Sequence, residues 1–430
     1  MSSQLSSVPT AASPKQNGFI FFVIARLLCM FGMQIQAVIV AWQVYDLTNE
    51  PMSLAYVGLA QFIPIVLCIP IAGDVADRFS RKTIIMVSLT LAAVCSLLLM
   101  FLSYEVLIHA DHQAEISVLW FYVVLVIFGI ARSFFTPTFK SILPQIVERS
   151  ELARAISSTT AVVKIATIAG PALGGVLYTL GGSISYLICF VAFAASVLCF
   201  CKVHVQVALQ KVAQDTQNIW LRFKEGLVFI KDHPIVLGCM SLDLFAVLLG
   251  GVVALLPMYA KDILHTDASG LGILRSAMAV GEISMAIILS RRPLNHHVGL
   301  IMFIAVAVFG LANLVFAIST LFWLSVTMLV IAGAADMTSV YVRSNLLQFS
   351  TPDYIRGRVT AVNMLFTSTS NELGEFRAGT QAAWFGVVNA GVVGALSTLF
   401  IVGFTAMKFS SLLKVQRFED AENHNTPTTS

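Results

Sequence analysis

Charge is what this sequence has least of: Asp, Glu, Lys and Arg make up 11% of its 430 residues, against about a quarter in an ordinary soluble domain. So few charges cannot cover the surface of a water-soluble chain of this size. The net charge is only +3, which supplies no field for a polyanion, so no nucleic-acid partner is expected. No G-x-x-x-x-G-K-[ST] loop occurs, which excludes nucleotide binding of that kind. The seven cysteines form no C-x-x-C pattern and sit in or beside apolar runs, where thiols act as small apolar groups; no metal site is expected. The first eighteen residues are polar and Ser-rich and lack the charged-then-apolar order of a cleavable signal. The eight histidines lie at loops or at the ends of apolar runs, so a histidine relay inside a membrane is not expected.

Apolar residues fill the space left: 57% of the chain is hydrophobic and the mean hydropathy is +0.85. A bilayer core of about 30 Å takes roughly 20 apolar residues per helix. Stretches of that kind run over 19–45, 53–76, 83–104, 117–144, 153–178 and 184–203, then 236–260, 269–290, 298–318, 321–349, 358–382 and 384–409. The expected fold is all-α integral membrane, with twelve transmembrane helices in two six-helix halves. Residues 1–18 are then an N-terminal tail, 19–203 the first half, 204–235 a linker, 236–409 the second half and 410–430 a C-terminal tail.

Of the 26 Lys and Arg residues, six fall within apolar stretches and Lys261 falls on one side; the others cluster at the termini and in the even-numbered loops. Cytoplasmic loops retain cations, so both termini are expected in the cytoplasm. Trp220, Phe223, Leu227 and Ile230 of the linker share one helical face, which suits a helix on the membrane surface or one packed under the bundle. Leu143, Gln145, Leu152 and Ile156 match Leu346, Gln348, Ile355 and Val359 at a constant offset of 203, as a six-span duplication produces.

Ionisable groups inside spans cost roughly 2.5–3.5 kcal/mol each on insertion scales. They therefore face a partner or an aqueous cavity, and here they are Arg26, Arg132, Lys164, Asp243, Arg275, Glu282, Asp336, Arg343, Glu372, Glu375 and Arg377. Arg275 and Glu282, like Asp336 and Arg343, are seven apart on one face, about 10.5 Å along the axis, so ion pairs are expected between helices, either as static braces or as bridges of one access state. Glu372 and Glu375 are three apart and repel when both are ionised, unless Arg377 or Arg343 neutralises them. Gln36 and Gln43 share a face of the first span and suit either a cavity wall or amide contacts between helices. The substrate-cavity candidates are Arg26, Gln36, Gln43, Lys164, Asp243 and Arg275, and the acids proposed to carry a proton are Glu282, Asp336, Glu372 and Glu375, with Arg343 as a charged partner.

The loop Gly73-Asp74-Val75-Ala76-Asp77-Arg78-Phe79-Ser80-Arg81-Lys82 resembles the signature loop of the major facilitator superfamily, with Ser80 where a Gly is usual. Gly170-Pro171-Ala172-Leu173-Gly174-Gly175 resembles the Gly-Pro element that exporters of that superfamily carry in the fifth span, although close packing of small residues explains it as well. Segments such as Ala41-Trp42-Gln43-Val44-Tyr45-Asp46, Leu242-Asp243-Leu244-Phe245, Gly270-Leu271-Gly272-Ile273-Leu274-Arg275 and Ser370-Asn371-Glu372-Leu373-Gly374-Glu375 are similar to the bacterial branch that includes the enterobactin exporter. That resemblance implies proton-driven export of a siderophore or drug-like compound across a bacterial inner membrane, by a monomer whose partners are the bilayer and a small molecule. It implies no cofactor beyond the proton gradient. Gly73, Asp77, Arg78, Arg81 and Lys82 would form the cytoplasmic gate, Gly170, Pro171, Gly174 and Gly175 the antiporter-type motif, and Arg132 would support proton coupling. Lys164 and Thr167 stand where the branch leads one to expect Asn and Arg, so cargo can differ. Uptake by the same fold, and a membrane-embedded metal-binding enzyme or sensor, are the alternatives.

Overall fold

The computed structural model describes residues 14–108, 114–148, 151–203 and 219–420. Residues 1–13, 204–218 and 421–430, parts of the expected tails and linker, lie outside them. The first half holds α1 (Pro14–Thr48), α2 (Pro51–Arg78), α3 (Arg81–Ile108), α4 (Ala114–Ile142), α5 (Leu152–Tyr178) and α6 (Gly182–Cys201). A linker helix, α7 (Ile219–Asp232), leads to α8 (Pro234–Gly250), α9 (Leu256–Met258), α10 (Ala268–Arg291), α11 (Val298–Ile318), α12 (Phe322–Ser350), α13 (Asp353–Phe385), α14 (Val387–Lys408) and α15 (Ser410–Leu413). No strand occurs among the described residues.

Eleven helical segments among the described residues are long and apolar enough to cross a membrane, one short of the twelve expected. The helix left out is α13, whose 33 residues include Arg356, Arg358, Glu372, Glu375 and Arg377. Two further expectations are corrected. The apolar run over 236–260 is not one regular helix: α8 stops at Gly250, a 3₁₀ turn spans Val253–Leu255, and a π turn spans Tyr259–Ile263. Gly73, Asp77 and Arg78 lie in α2 rather than in a loop, and Arg81 and Lys82 begin α3, so only Phe79 and Ser80 separate the two helices.

One hydrophobic cluster draws only on residues 22–203 and another only on 229–415. A third joins the halves through Val38, Trp42, Leu271 and Ala378. Leu98, Phe101, Leu119, Ile304, Leu396 and Phe400 stay exposed around the bundle, the outward apolar band that acyl chains cover. Where α10 crosses α12, the backbones nearly touch. A Cβ added to Gly281 would lie 2.0 Å from the Val330 carbonyl oxygen, and one added to Gly333 would lie 2.0 Å from that of Met278. Without acyl chains squeezing the helices together by a hydrophobic effect, such small-residue seams supply the packing.

Two outcomes test this account. Gly333→Val forces α10 and α12 apart and should cost about 1–3 kcal/mol, read as a lower thermal midpoint in detergent, whereas Gly403→Val, with no atom within 4 Å of its added Cβ, leaves the midpoint unchanged. Asp267 caps α10, accepting from the Ser269 hydroxyl and from the Ser269 and Gly270 amides, and its Ser269 hydrogen bond holds the carboxyl below its ordinary value. Asp267→Ala should therefore cost about 1 kcal/mol at neutral pH. Because the folded value is depressed, that contribution is present above about pH 4 and fades as pH falls through the folded value, so the gap between wild type and variant midpoints closes on acidification.

Candidate functional site

A cavity of about 220 Å³ lies between the halves at mid-helix depth. Its polar wall is built by both halves: Gln34 and Gln36 from α1, Gln61 from α2 and Arg132 from α4, facing Arg275 from α10 and Glu372 with Glu375 from α13. Val253, Ala254 and Pro257 of the broken segment after α8 complete it. The break places Pro257 and a 3₁₀ turn against the cavity, and irregular backbone at membrane depth is tolerated only where protein or a cavity surrounds it.

Donors in this wall are left over. Gln36 accepts a 2.6 Å hydrogen bond from Ser96, yet its buried Nε2 has no partner, and neither has the buried Nε of Arg275. Among the described residues no ion pair within 4 Å joins Arg132 or Arg275 to either glutamate. Two guanidinium groups, two carboxyls and three amides thus face one space with capacity to bind a ligand that is part polar and part apolar. The volume falls below the roughly 300–1,000 Å³ of pockets that hold drug-sized molecules, so such a ligand requires the halves to part further.

On the side away from the chain termini, the halves are tied together. Lys261 donates to Asp46 at 2.5 Å and to Asn49 at 2.8 Å, and the Tyr45 hydroxyl donates to Asp262. Below this rim, a Cβ on Gly175 of α5 would lie 2.2 Å from the Ala268 carbonyl oxygen of α10, and Ser276 donates to the Ile168 carbonyl at 2.6 Å. On the opposite flank, α13 meets α2 through Thr380 with Met52 and Gly379 with Ala55. The deepest of these cross-half contacts are Glu375 with Gly58 and Lys164 with Glu282, the latter an ion pair of 3.4 Å. Both stop near mid-helix.

The remaining candidate residues are distributed as follows. Of the six cavity candidates only Gln36 and Arg275 line the cavity. Gln43 is a correction: it donates 2.8 Å to Ser103 inside the first half. Asp243 is another, since it accepts from Ser339 and forms a buried ion pair with Arg343, which also donates to Thr367. Removing one partner of such a pair strands the other charge, at a cost of about 3–5 kcal/mol. Arg26 stacks over Phe139 at 5.2 Å, and Lys164 serves the cross-half pair. Of the coupling candidates, Arg132, Glu372 and Glu375 reach the cavity, whereas Glu282, Asp336 and Arg343 lie off it. Arg377 donates to Gln381 on its own helix and makes no ion pair with Glu372 or Glu375, so neutralisation of the glutamates by Arg377 or Arg343 is not found.

Gly170 and Gly174 press α5 onto α1 at Gln34 and Ile35, while the Pro171 carbonyl abuts Gly272 of α10. The Gly-Pro element is therefore the wedge between α1 and the second half. Arg81 donates to the Ser141 carbonyl at the end of α4, and Lys82 donates to the Cys201 and Val203 carbonyls at the end of α6. In this state both side chains tie helices within the first half; the side chains of Asp77 and Arg78 lie outside the described residues. Gln61 was not singled out from sequence, because a lone amide in an apolar run carries no periodic signal. No group of three or more His, Cys, Asp or Glu residues able to hold a metal occurs among the described residues.

Comparison with known proteins agrees with this geometry. The chain is 23% identical to the staphyloferrin A transporter of Staphylococcus aureus over 392 residues, covering 89% of this chain and 94% of that protein. It is 25% identical to the enterobactin exporter EntS of Citrobacter koseri, covering 89% of each chain. It is 26% identical to the multidrug efflux pump Tap of Mycobacterium bovis, covering 84% of this chain and 86% of the pump. In fold it is similar to a crystal structure of the nucleoside transporter NupG (TM-score 0.69, 16% identity, 92% of this chain and 100% of that one). It is equally similar to an inward-facing bacterial homologue of ferroportin (TM-score 0.69, 17% identity, 92% of this chain and 99% of that one). The profile of the transmembrane secretion effector family matches residues 9–429, and the chain belongs to that family, a multi-pass membrane transporter of the major facilitator superfamily.

Proposed function

We propose that this transporter is a proton-coupled exporter of a small amphipathic compound, of the siderophore or drug-like kind, that works by alternating access in a bacterial inner membrane with both termini in the cytoplasm. The observation that carries the proposal is a charged central cavity with the halves tied together on the side away from the termini: among the described residues these ties run from the Lys261 rim as deep as Lys164 and Glu375. With the termini cytoplasmic, as the distribution of Lys and Arg argues, that geometry is a state closed to the outside and poised to receive cargo from the cytoplasm. In this reading α13 is the twelfth span, its charges directed at the cavity and at helix partners rather than at lipid.

Cargo would enter between Arg132 of the first half and Arg275, Glu372 and Glu375 of the second. Contact with both halves lets its binding energy bias their relative orientation, as differential affinity for two states requires. Names of relatives support the cargo class: a siderophore transporter, a siderophore exporter and a drug efflux pump share most of their length with this chain. The Gly73–Lys82 segment would latch the opposite access state, in which Arg81 and Lys82 exchange carbonyl partners.

Two experiments test the proposal. Protein in sealed liposomes containing a pH-sensitive dye is given hydroxycarboxylate chelators, catecholate chelators and ethidium in turn; at least one should drive proton movement, and Arg132→Gln or Glu375→Gln should cut that movement at least about tenfold, the usual effect of a lost charge-assisted contact. Silence of the wild-type protein toward every compound counts against proton-coupled export. Met52→Cys combined with Thr380→Cys, whose side chains touch across the α2–α13 seam, should stop transport on oxidation and regain it on reduction. Continued transport by the cross-linked protein would overturn alternating access at this seam.

A further inference from the structure

Away from the cavity, α12 carries an acid, Asp336, close to two ion pairs, Asp243–Arg343 and Lys164–Glu282. Asp336 on α12 shares a gap of about 10 Å³ with Asp243 of α8 and with Ser339. Gly333, one turn before Asp336, presses against the backbone of Met278 and Glu282 on α10. The gap sets Asp336 beside Asp243, which pairs with Arg343, and the close packing at Gly333 brings it near Glu282, which pairs with Lys164. The α11 helix, packed along α12, brings Val306 and Phe309 to the gap and carries no titratable side chain. Arg275, the other charge in the interior stretch of α10, stands two turns from Glu282 and faces the cavity.

Matching charges separates this cluster from the cavity. Glu282 is paired with Lys164 and Asp243 with Arg343, whereas Asp336 has neither an ion pair nor a hydrogen bond among the described residues. Three acids therefore face two bases, and the cluster carries one unmatched negative charge until it binds a proton. In the cavity Glu372 and Glu375 face Arg132 and Arg275, acids and bases equal in number. An unbalanced charge in a low-dielectric interior is the costlier arrangement.

We infer that the transported proton is carried by Asp336, at a site separate from the cargo cavity, and that Lys164 conveys its protonation state to the contact between the halves. The inference rests on the proton-coupled reading above. Lys164 is the one member of the cluster that belongs to the first half. With Asp336 ionised, two carboxylates of the second half, Asp336 and Glu282, attract the Lys164 ammonium and hold α5 against α10. When a proton from water bonds to a carboxylate oxygen of Asp336, only Glu282 still attracts Lys164, and the seam loosens. Returning the proton to water on the other side restores the tie. Proton and cargo then act on the same pair of halves through different residues, which frees the cavity to change its cargo without loss of coupling.

Infrared difference spectra of the membrane-reconstituted wild-type protein, recorded across pH 5–9 without any cargo, read the carboxyl C=O stretch of buried protonated acids. The expected result is a titrating band that vanishes in Asp336→Asn and persists in Glu372→Gln and Glu375→Gln. Lys164→Met and Glu282→Gln should keep the band but displace its midpoint in opposite directions, a response that a merely structural role would not give. A band that persists in Asp336→Asn and disappears in a Glu372 or Glu375 variant overturns the assignment while leaving proton coupling intact. A wild-type protein with no titrating band overturns both the assignment and the coupling on which it rests.

Discussion

A charge held inside an apolar slab must find a counter-charge, a polar partner or water, and the interior of this transporter is arranged around that requirement. Born desolvation makes an isolated buried ion costly. Arg26 lies over Phe139, Arg377 bonds Gln381 and Asp336 stands beside Asp243, while most of the ionisable groups of the spans gather into three sets. One is the buried Asp243–Arg343 pair that braces α8 to α12. Another is the Lys164–Glu282 pair that crosses between the halves. The last is the cavity, where Arg132, Arg275, Glu372 and Glu375 face a shared space. The three sets differ in their surroundings: a partner within one half, a partner in the other half, or a shared cavity.

The same requirement explains the odd helix of the bundle. The α13 helix carries too many charged residues to be apolar throughout, yet it packs against α2, α8 and α14. Its polar groups are met from within: Glu372 and Glu375 at the cavity, Arg377 by Gln381, Arg358 by Glu225 of the linker helix. Polarity along α13 is thus met by the cavity, by its own helix and by the linker helix. Small residues do the complementary work elsewhere, with Gly175 and Gly272 letting α5 and α10 come close enough to seal one side.

Closure on one side and a charged space at mid-depth are coupled properties. The rim formed by Tyr45, Asp46, Lys261 and Asp262 is polar and partly exposed, where ion pairs contribute only about 0–1 kcal/mol, so it can open and re-form at small cost. The buried Asp243–Arg343 pair is of the other kind and stays within one half. Weak ties between the halves and strong ties within them are what rigid-body rocking requires.

Sequence by itself determined the membrane class, the approximate position of nearly every helix and the family, because a low content of charge and apolar runs of fixed length are local properties set by bilayer thickness. It also marked the intramembrane charges as the residues to watch. What it left open was which of them meet. Gln36 and Gln43 share a face of one helix, yet one reaches the cavity and the other bonds Ser103, since that face spans both the cavity and the α3 contact along its length. Glu282 and Asp336 read as equals of Glu372, yet the packing of α10 on α12 carries them off the cavity. The break after Gly250 was hidden inside an unbroken apolar run, because composition is blind to where Asn313 and Thr398 hold the freed end of α8. Pairing, balance of charge and the side that is closed are relations between helices distant in sequence, and only the tertiary structure decided them.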